Sequence, residues 1–134
     1  MPKLIVDNVV EAVESQGKKI VKARIMISGI AFKRDIDDTR ETPAVPIIDL
    51  LQSHEAEVCY HDPHCPFFPE MKNKDLSRSV GLSPELLESL DCVVIVTDHS
   101  AVDYEMMGKH APLIVDTRNA MDRIKSPTAK IIKA

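Results

Sequence analysis

Residues 24–32 read Arg-Ile-Met-Ile-Ser-Gly-Ile-Ala-Phe, a nearly continuous apolar run. Runs of this kind are typical of strands buried on both faces of a sheet, because a half-exposed strand would alternate apolar and polar residues. Two similar runs follow, Cys-Val-Val-Ile-Val-Thr at 92–97 and Pro-Leu-Ile-Val-Asp at 112–116. We expect the run at 24–32 to form the first and central strand of a parallel sheet.

The segments between these runs carry helix signals. Apolar residues at helical spacing predict a helix over 3–16. Prolines confined to the first turn predict a helix over 43–52, and a serine followed by proline predicts a short helix over 83–90. A helix over about 101–109 and a short strand over 56–60 complete the alternation.

Strands alternating with helices predict an α/β fold, with a doubly wound, Rossmann-like parallel sheet that has helices on both faces and is preceded by an N-terminal helix. Three segments follow from this pattern: an N-terminal linker helix at 1–23, an α/β domain at 24–120 and a C-terminal tail at 121–134. The tail is basic and shows no clear pattern. Residues 63–82, which hold three prolines, are predicted to form an irregular excursion.

Composition excludes several classes of function. The 134 residues carry a net charge of −4 and no run rich in Lys or Arg, which argues against a nucleic-acid or membrane-surface partner. No apolar run approaches the roughly 18 residues of a membrane span, and the N-terminus does not resemble a signal peptide. We therefore expect a cytoplasmic protein.

The three cysteines are Cys59, Cys65 and Cys92, and no C-x-x-C pair occurs among them. We expect them to be reduced core thiols. One short stretch, His61-Asp-Pro-His-Cys65, has metal-ligand types, but a four-ligand zinc site would need a second pair elsewhere. A polar loop after a strand, without a metal, is the favoured interpretation.

Ligands of open parallel sheets bind beyond the carboxyl ends of the strands. Here those ends lead into four polar loops, at 33–40, 61–62, 97–99 and 116–119. Three cations in these loops would converge on one edge and suit a diphosphate: Lys33, Arg40 and Arg118. In an alternative interpretation the two arginines pair with acidic residues of the loop as scaffolding, namely Asp35, Asp37, Asp38 and Glu41.

Two enzymatic alternatives fit the sequence less well. Residues 35–39, Asp-Ile-Asp-Asp-Thr, have the D-x-D-x-T pattern of aspartyl phosphatases, but that chemistry requires the first aspartate directly at the strand end. The turn after the first strand has Gly29 alone and lacks G-x-G-x-x-G, which disfavours a nicotinamide-binding turn.

Residues 29–44 resemble the signature G-x-A-[FY]-K-x-[DN]-x-[DG]-D-x-R-[ED]-[ST]-P-A of the UDP-glucose/GDP-mannose dehydrogenase family, in its C-terminal, UDP-binding domain. Three shorter stretches are similar to further family motifs: His-Asp-Pro at 61–63, the strand ending Thr-Asp-His at 93–99, and Asp-Thr-Arg-Asn within 114–119. The resemblance covers about residues 1–120. The last two motifs look most like members that act on UDP-N-acetyl-hexosamines.

The resemblance implies a role within a larger enzyme. Family members oxidise the C6 alcohol of a nucleotide sugar to a carboxylate in two NAD-dependent steps, through a cysteine-bound intermediate. The cysteine and the NAD loop belong to an N-terminal domain, and a central helical region forms the dimer. Because the sequence holds neither, we expect an excised domain or a truncated gene product that is not catalytic alone.

The resemblance also implies roles for individual residues. Phe32 and Lys33 would contact the nucleotide part of a UDP-sugar, and Arg118 would help to hold it. Arg40 would reach across a domain interface toward the NAD phosphates. The acidic residues would order the loop: Asp35, Asp37, Asp38 and Glu41. The implied partners are the remainder of the dehydrogenase and, in the full enzyme, a homodimer or higher oligomer. A stand-alone flavodoxin-like nucleotide-binding or regulatory module is the alternative, with the D-x-D-x-T phosphatase third.

Overall fold

The computed structural model describes residues 2–31, 33–36, 39, 42–68, 78–125 and 127–133. Along the chain the elements are α1 (Pro2–Ser15), β1 (Arg24–Ser28), α2 (Ala44–Ser53), β2 (Glu57–His61), α3 (Pro84–Ser89), β3 (Cys92–Ile95), α4 (Tyr104–His110), β4 (Leu113–Asp116), a 3-10 helix (Ala120–Arg123) and β5 (Lys130–Lys133). The strands form one sheet in the order β2-β1-β3-β4-β5, and every neighbouring pair is parallel. The predicted α/β fold is confirmed.

The sequence predicted β1 as the central strand, but the central strand is β3. From β1 the chain crosses to β2 on one side, and it later returns to β3 on the other side. The strand order therefore reverses between β1 and β3. In doubly wound sheets a ligand binds beyond the carboxyl ends of the strands at this switch point.

Helices cover both faces of the sheet. Alternate side chains of β1 divide between the two sides, because Ile25 and Ile27 pack with α1 and α2 whereas Met26 packs with α3 and α4. All three side chains are completely buried. The sheet is thus a layer between two apolar cores, and its polar contacts are concentrated at the ends of the strands.

Strand β1 is shorter than predicted and ends at Ser28. Gly29 has a φ of 84°, which turns the chain out of the strand. The next two amides, of Ile30 and Ala31, donate to the carboxylate of Asp62. A side chain at position 29 would also overlap the carbonyl oxygen of Thr97 and bring its Cβ to 2.8 Å from that of Thr97. Glycine is therefore required at this turn.

The tail that showed no pattern supplies a fifth strand. β5 pairs with β4 along its whole length, and its two isoleucines divide between the faces, with Ile131 packing on the α3–α4 side and Ile132 on the α1–α2 side. The four residues read Lys-Ile-Ile-Lys, with lysines at both ends of an edge strand. Within the described part of the chain, no helix is long and apolar enough to cross a membrane.

Candidate functional site

The carboxylate of Asp62 joins the loops that follow β1, β2 and β3. It is completely buried and accepts hydrogen bonds from five donors. These are the amides of Ile30, Ala31, His64 and Cys65, at 2.8 to 3.1 Å, and the Nε2 atom of His99, at 2.8 Å. Burial opposes the charge, but these hydrogen bonds outweigh it and lower the pKa of Asp62. Asp62 is therefore a charged anchor at the centre of this edge.

His99 links this anchor to the loop after β1. Its Nδ1 atom lies 2.8 Å from the backbone nitrogen of Asp35, and an amide nitrogen can only donate. Nδ1 is therefore the acceptor, and the imidazole proton sits on Nε2, where it is donated to Asp62. The histidine is completely buried and bonded at both ring nitrogens. This geometry assigns Nδ1 as the acceptor and Nε2 as the donor of His99.

Asp35 has a structural environment rather than that of a nucleophile. Its two carboxylate oxygens accept from the amide and the hydroxyl of Ser100, each at 2.7 Å. These bonds lower the pKa of Asp35. The residue lies in the loop well beyond the end of β1 at Ser28. A phosphatase nucleophile must lie directly at the strand end, and Asp35 does not. Asp37 lies outside the described residues.

Arg118 lies across the end of β3. It follows β4, and its Nε atom donates to the carbonyl oxygen of Val96 at 3.0 Å. Thr117 makes a parallel contact, since its hydroxyl donates to the carbonyl of Ile95 at 2.6 Å. The preceding Asp116 is completely buried and accepts from the amides of Arg118, Ala120 and Met121. The turn that carries Arg118 is thus held by the hydrogen bonds of Thr117 and Asp116.

Lys33 belongs to the same edge. The residues two positions before and after it are tied to the β3 loop. The hydroxyl of Thr97 donates to the carbonyl oxygen of Ala31, and the amide of Asp35 donates to the Nδ1 atom of His99. Arg34, which the sequence did not single out, adds an ion pair, with its Nη2 at 2.8 Å from a carboxylate oxygen of Asp98. The loops carrying Lys33 and Arg118 therefore flank the end of β3, one from each side.

The remaining residues predicted for the site lie outside the described part of the chain: Phe32, Asp37, Asp38, Arg40 and Glu41. Among the described residues, the pairing of Asp62 with His99 was missed. Both occur in loops that the sequence placed at this edge, but they are far apart in the chain, and no local pattern indicates that they bond. The signal available was their position alone, after β2 and after β3.

Metal-ligand types do come together, but in a different set from the one the sequence suggested. Possible ligand atoms of Asp35, His64 and His99 lie within 4.8 Å of one another. Both ring nitrogens of His99 are engaged in hydrogen bonds. The Nε2 atom of His64 lies 3.8 Å from a carboxylate oxygen of Asp35, beyond hydrogen-bond distance, and it has no hydrogen-bond partner among the described residues. His61 faces elsewhere, with its Nδ1 at 2.8 Å from the carbonyl oxygen of Val80.

All three cysteines are free thiols. Cys65 and Cys92 are buried and Cys59 is half-buried, as expected for core residues. Burial raises the pKa of Cys59 to about 11 and that of Cys92 to about 12. Thiols with such values are protonated at neutral pH, which makes these two poor nucleophiles.

A cavity of about 550 Å³ lies between α4 and the C-terminal segment. Its lining includes Gly108, Lys109, Arg123 and Lys125, and it contains none of the residues predicted to bind a nucleotide. The edge at the switch point is thus a surface built from loops, separate from this cavity.

Comparison with known proteins agrees with the fold. Residues 26–123 match the family described as "UDP-glucose/GDP-mannose dehydrogenase family, UDP binding domain". The UDP-N-acetyl-D-mannosamine dehydrogenase of Methanococcus aeolicus is 33% identical over 100 residues, covering 75% of this chain and 20% of that protein.

Two solved structures share the fold over nearly the whole chain. The UDP-D-ManNAc dehydrogenase of Pyrococcus horikoshii superposes with a TM-score of 0.75 at 27% identity, covering 98% of this chain and 30% of that one. The NDP-N-acetyl-D-galactosaminuronic acid dehydrogenase of Methanosarcina mazei gives 0.76 at 26% identity, covering 99% and 28%. The chain belongs to the UDP-glucose/GDP-mannose dehydrogenase family and corresponds to its UDP binding domain.

Proposed function

We propose that this chain binds the UDP part of a nucleotide sugar for an NAD-dependent 6-dehydrogenase, which oxidises the C6 alcohol of the sugar to a carboxylate. One observation carries the proposal: the loops of Lys33 and Arg118 flank the end of β3, at the switch point of a chain matched to a UDP binding domain. This is the place where doubly wound sheets bind ligands.

The chemistry of the two cations suits a diphosphate. The Nε atom of Arg118 is held by the carbonyl of Val96, which fixes the plane of the guanidinium. Its two Nη groups are then the donors for phosphate oxygens, in the bidentate geometry that arginine favours. Lys33 supplies a point charge from the opposite side of β3. We propose that Phe32 completes the nucleotide contact.

The rest of the reaction is proposed to depend on other parts of a longer protein. The chain spans 20% of the Methanococcus aeolicus relative and 30% of the Pyrococcus horikoshii structure. We propose that those parts supply the NAD loop, the catalytic cysteine and the dimer interface, in a cytoplasmic enzyme. Arg40 would reach the NAD phosphates, and residues 1–23, with α1, would link this domain to them. A UDP-N-acetyl-hexosamine is the proposed substrate class.

The strand order favours one alternative, a stand-alone nucleotide-binding or regulatory module, because β2-β1-β3-β4-β5 is also the flavodoxin-like order. The two proposals differ in the ligand that is bound and in whether an NAD-dependent oxidation accompanies binding. A module of that kind would bind a nucleotide without any associated NAD-dependent oxidation of UDP-sugars.

Calorimetric titration of UDP into the chain tests the proposal. We expect saturable binding that Lys33→Ala weakens about tenfold, which corresponds to about 1.4 kcal/mol. Lys109→Ala is the matched control, because Lys109 lies in the last turn of α4, at the opposite edge of the sheet. Failure of UDP to bind, together with magnesium-dependent phosphate release that Asp35→Asn abolishes, would instead establish the phosphatase.

A further inference from the structure

The backbone on both sides of Lys33 is held by the same pair of buried side chains. On the N-terminal side, the amides of Ile30 and Ala31 donate to the Oδ2 atom of Asp62, at 2.8 and 3.1 Å. On the C-terminal side, the amide of Asp35 donates to His99. Since His99 in turn donates to the same Oδ2 atom, both ends of this short segment depend on one connected pair.

We propose that Asp62 and His99 are positioning residues for UDP binding, which set the loop so that Lys33 reaches the diphosphate. The inference rests on the proposed function. Neither side chain is available to the ligand, because both are completely buried. Their contribution is to fix the path of the loop before the ligand arrives, which lowers the ordering cost of binding.

The conformation of Asp35 supports this role. Its φ of 61° lies in the left-handed region, which is disfavoured for a residue with a side chain. Two sets of bonds hold it there: its amide to His99, and its carboxylate to Ser100. Without the acceptor on His99, Asp35 can relax toward an ordinary conformation, and Lys33, two residues earlier, is displaced with it.

Two substitutions separate the two nitrogens of His99. In His99→Gln the side-chain amide nitrogen lies as far from Cα as Nε2 does, so the donor to Asp62 is kept and the acceptor for Asp35 is lost. In His99→Asn the amide oxygen lies near the place of Nδ1, so the acceptor is kept and the donor is lost. A purely structural role would make UDP affinity follow stability in both variants.

For a positioning role, we expect the two variants to rank in opposite order for the loss of UDP affinity and for the loss of stability. His99→Gln should weaken UDP binding about tenfold, as the loss of one partly buried hydrogen bond implies, and should speed exchange of the Asp35 amide with solvent about tenfold. His99→Asn should lower the melting temperature more than His99→Gln does, yet weaken UDP binding less. His110→Gln is the matched control, since His110 bonds Glu88 on the surface.

The experiment combines calorimetry with UDP, thermal melting and amide exchange measured by NMR on the whole chain. UDP affinities that follow the melting temperatures in both variants would overturn the inference and leave the proposed function standing. Absence of UDP binding to the wild-type chain would instead remove the proposed function. Amide exchange in the wild-type chain tests the positioning role even if the variants do not fold. An Asp35 amide that exchanges as fast as in an unstructured peptide would contradict that role.

Discussion

The Nε atom of Arg118 donates a hydrogen bond to the carbonyl oxygen of Val96 at 3.0 Å, so a side chain that leaves β4 lies across the end of β3. This contact fixes the plane of the guanidinium at the end of β3. The bond also makes arginine and lysine unequal at this position. All three N–H donors of a lysine lie on one nitrogen, whereas an arginine can hold the carbonyl with Nε and present its two Nη groups to a ligand.

We predict that Arg118→Ala weakens UDP binding by about tenfold or more, as expected for a charge-assisted contact. Arg118→Lys should recover only part of this loss, since the charge remains but the fixed plane does not. Calorimetry measures both. Arg24→Ala is the control, because Arg24 is the first residue of β1 and lies at the amino-terminal end of the strand, away from the proposed site. Full recovery by lysine would show that charge alone is used.

Gly29 should be far less replaceable than Gly17. Both have positive φ angles, 84° and 79°, but a Cβ at position 29 overlaps Thr97 whereas a Cβ at 17 meets nothing within 4 Å. We predict that Gly17→Ala costs about 1 kcal/mol of the free energy of unfolding and Gly29→Ala at least about 2 kcal/mol more. Urea denaturation followed by circular dichroism measures the difference. Equal losses would mean that the turn at Gly29 is not packed against Thr97.

The buried carboxylate of Asp62 should make stability depend on pH. Because its pKa is lowered in the folded chain, its contribution is fully present above the usual aspartate value of 3.8 and is lost as the pH falls through the folded value. We predict that Asp62→Asn lowers the free energy of unfolding by about 2 kcal/mol at pH 7, and that this gap narrows as the solution is acidified.

Denaturation series from pH 7 to acid test this dependence, with Asp49→Asn as the control at an exposed position of α2. The control should stay within about 0.5 kcal/mol of the wild type at every pH. A gap for Asp62→Asn that keeps its size in acid would show that the lost stability does not come from the charge of this carboxylate.

The strand at the C-terminus makes a separate prediction. Ile131 and Ile132 are half-buried against opposite faces of the sheet, so Ile131→Ala and Ile132→Ala should each lower the free energy of unfolding by about 1 to 2 kcal/mol. Lys130→Ala, at an exposed position of the same strand, should leave it nearly unchanged. If neither isoleucine matters, residues 130–133 do not pair with β4 in solution.

The sequence predicted the elements whose signals are local. The apolar runs that form β1, β3 and β4 were recognised, as was the helix that begins after Ser83, whose hydroxyl oxygen accepts from the amide of Leu86. The end of β1 was misjudged because residues 29–31 are apolar, and their departure from the strand depends on Asp62, far along the chain.

Other features could not be read from the sequence because they depend on distant partners. β5 has only two apolar residues, and it becomes a strand because β4 offers an unpaired edge. The order of the sheet, which places β3 in the centre, follows from packing of the whole chain. The edge that holds Lys33 and Arg118 was predicted from the rule for parallel sheets, whereas the His99–Asp62 pair that orders it appears only in three dimensions.

The most direct test of the central claim is a titration of UDP into the nitrogen-15-labelled chain, followed residue by residue by NMR. The account predicts saturable shifts in the amide signals of Lys33, Arg34, Asp98 and Arg118, at the carboxyl edge around β3. Shifts confined to the cavity beside α4, at Arg123 and Lys125, or none at all at saturating UDP, would contradict it.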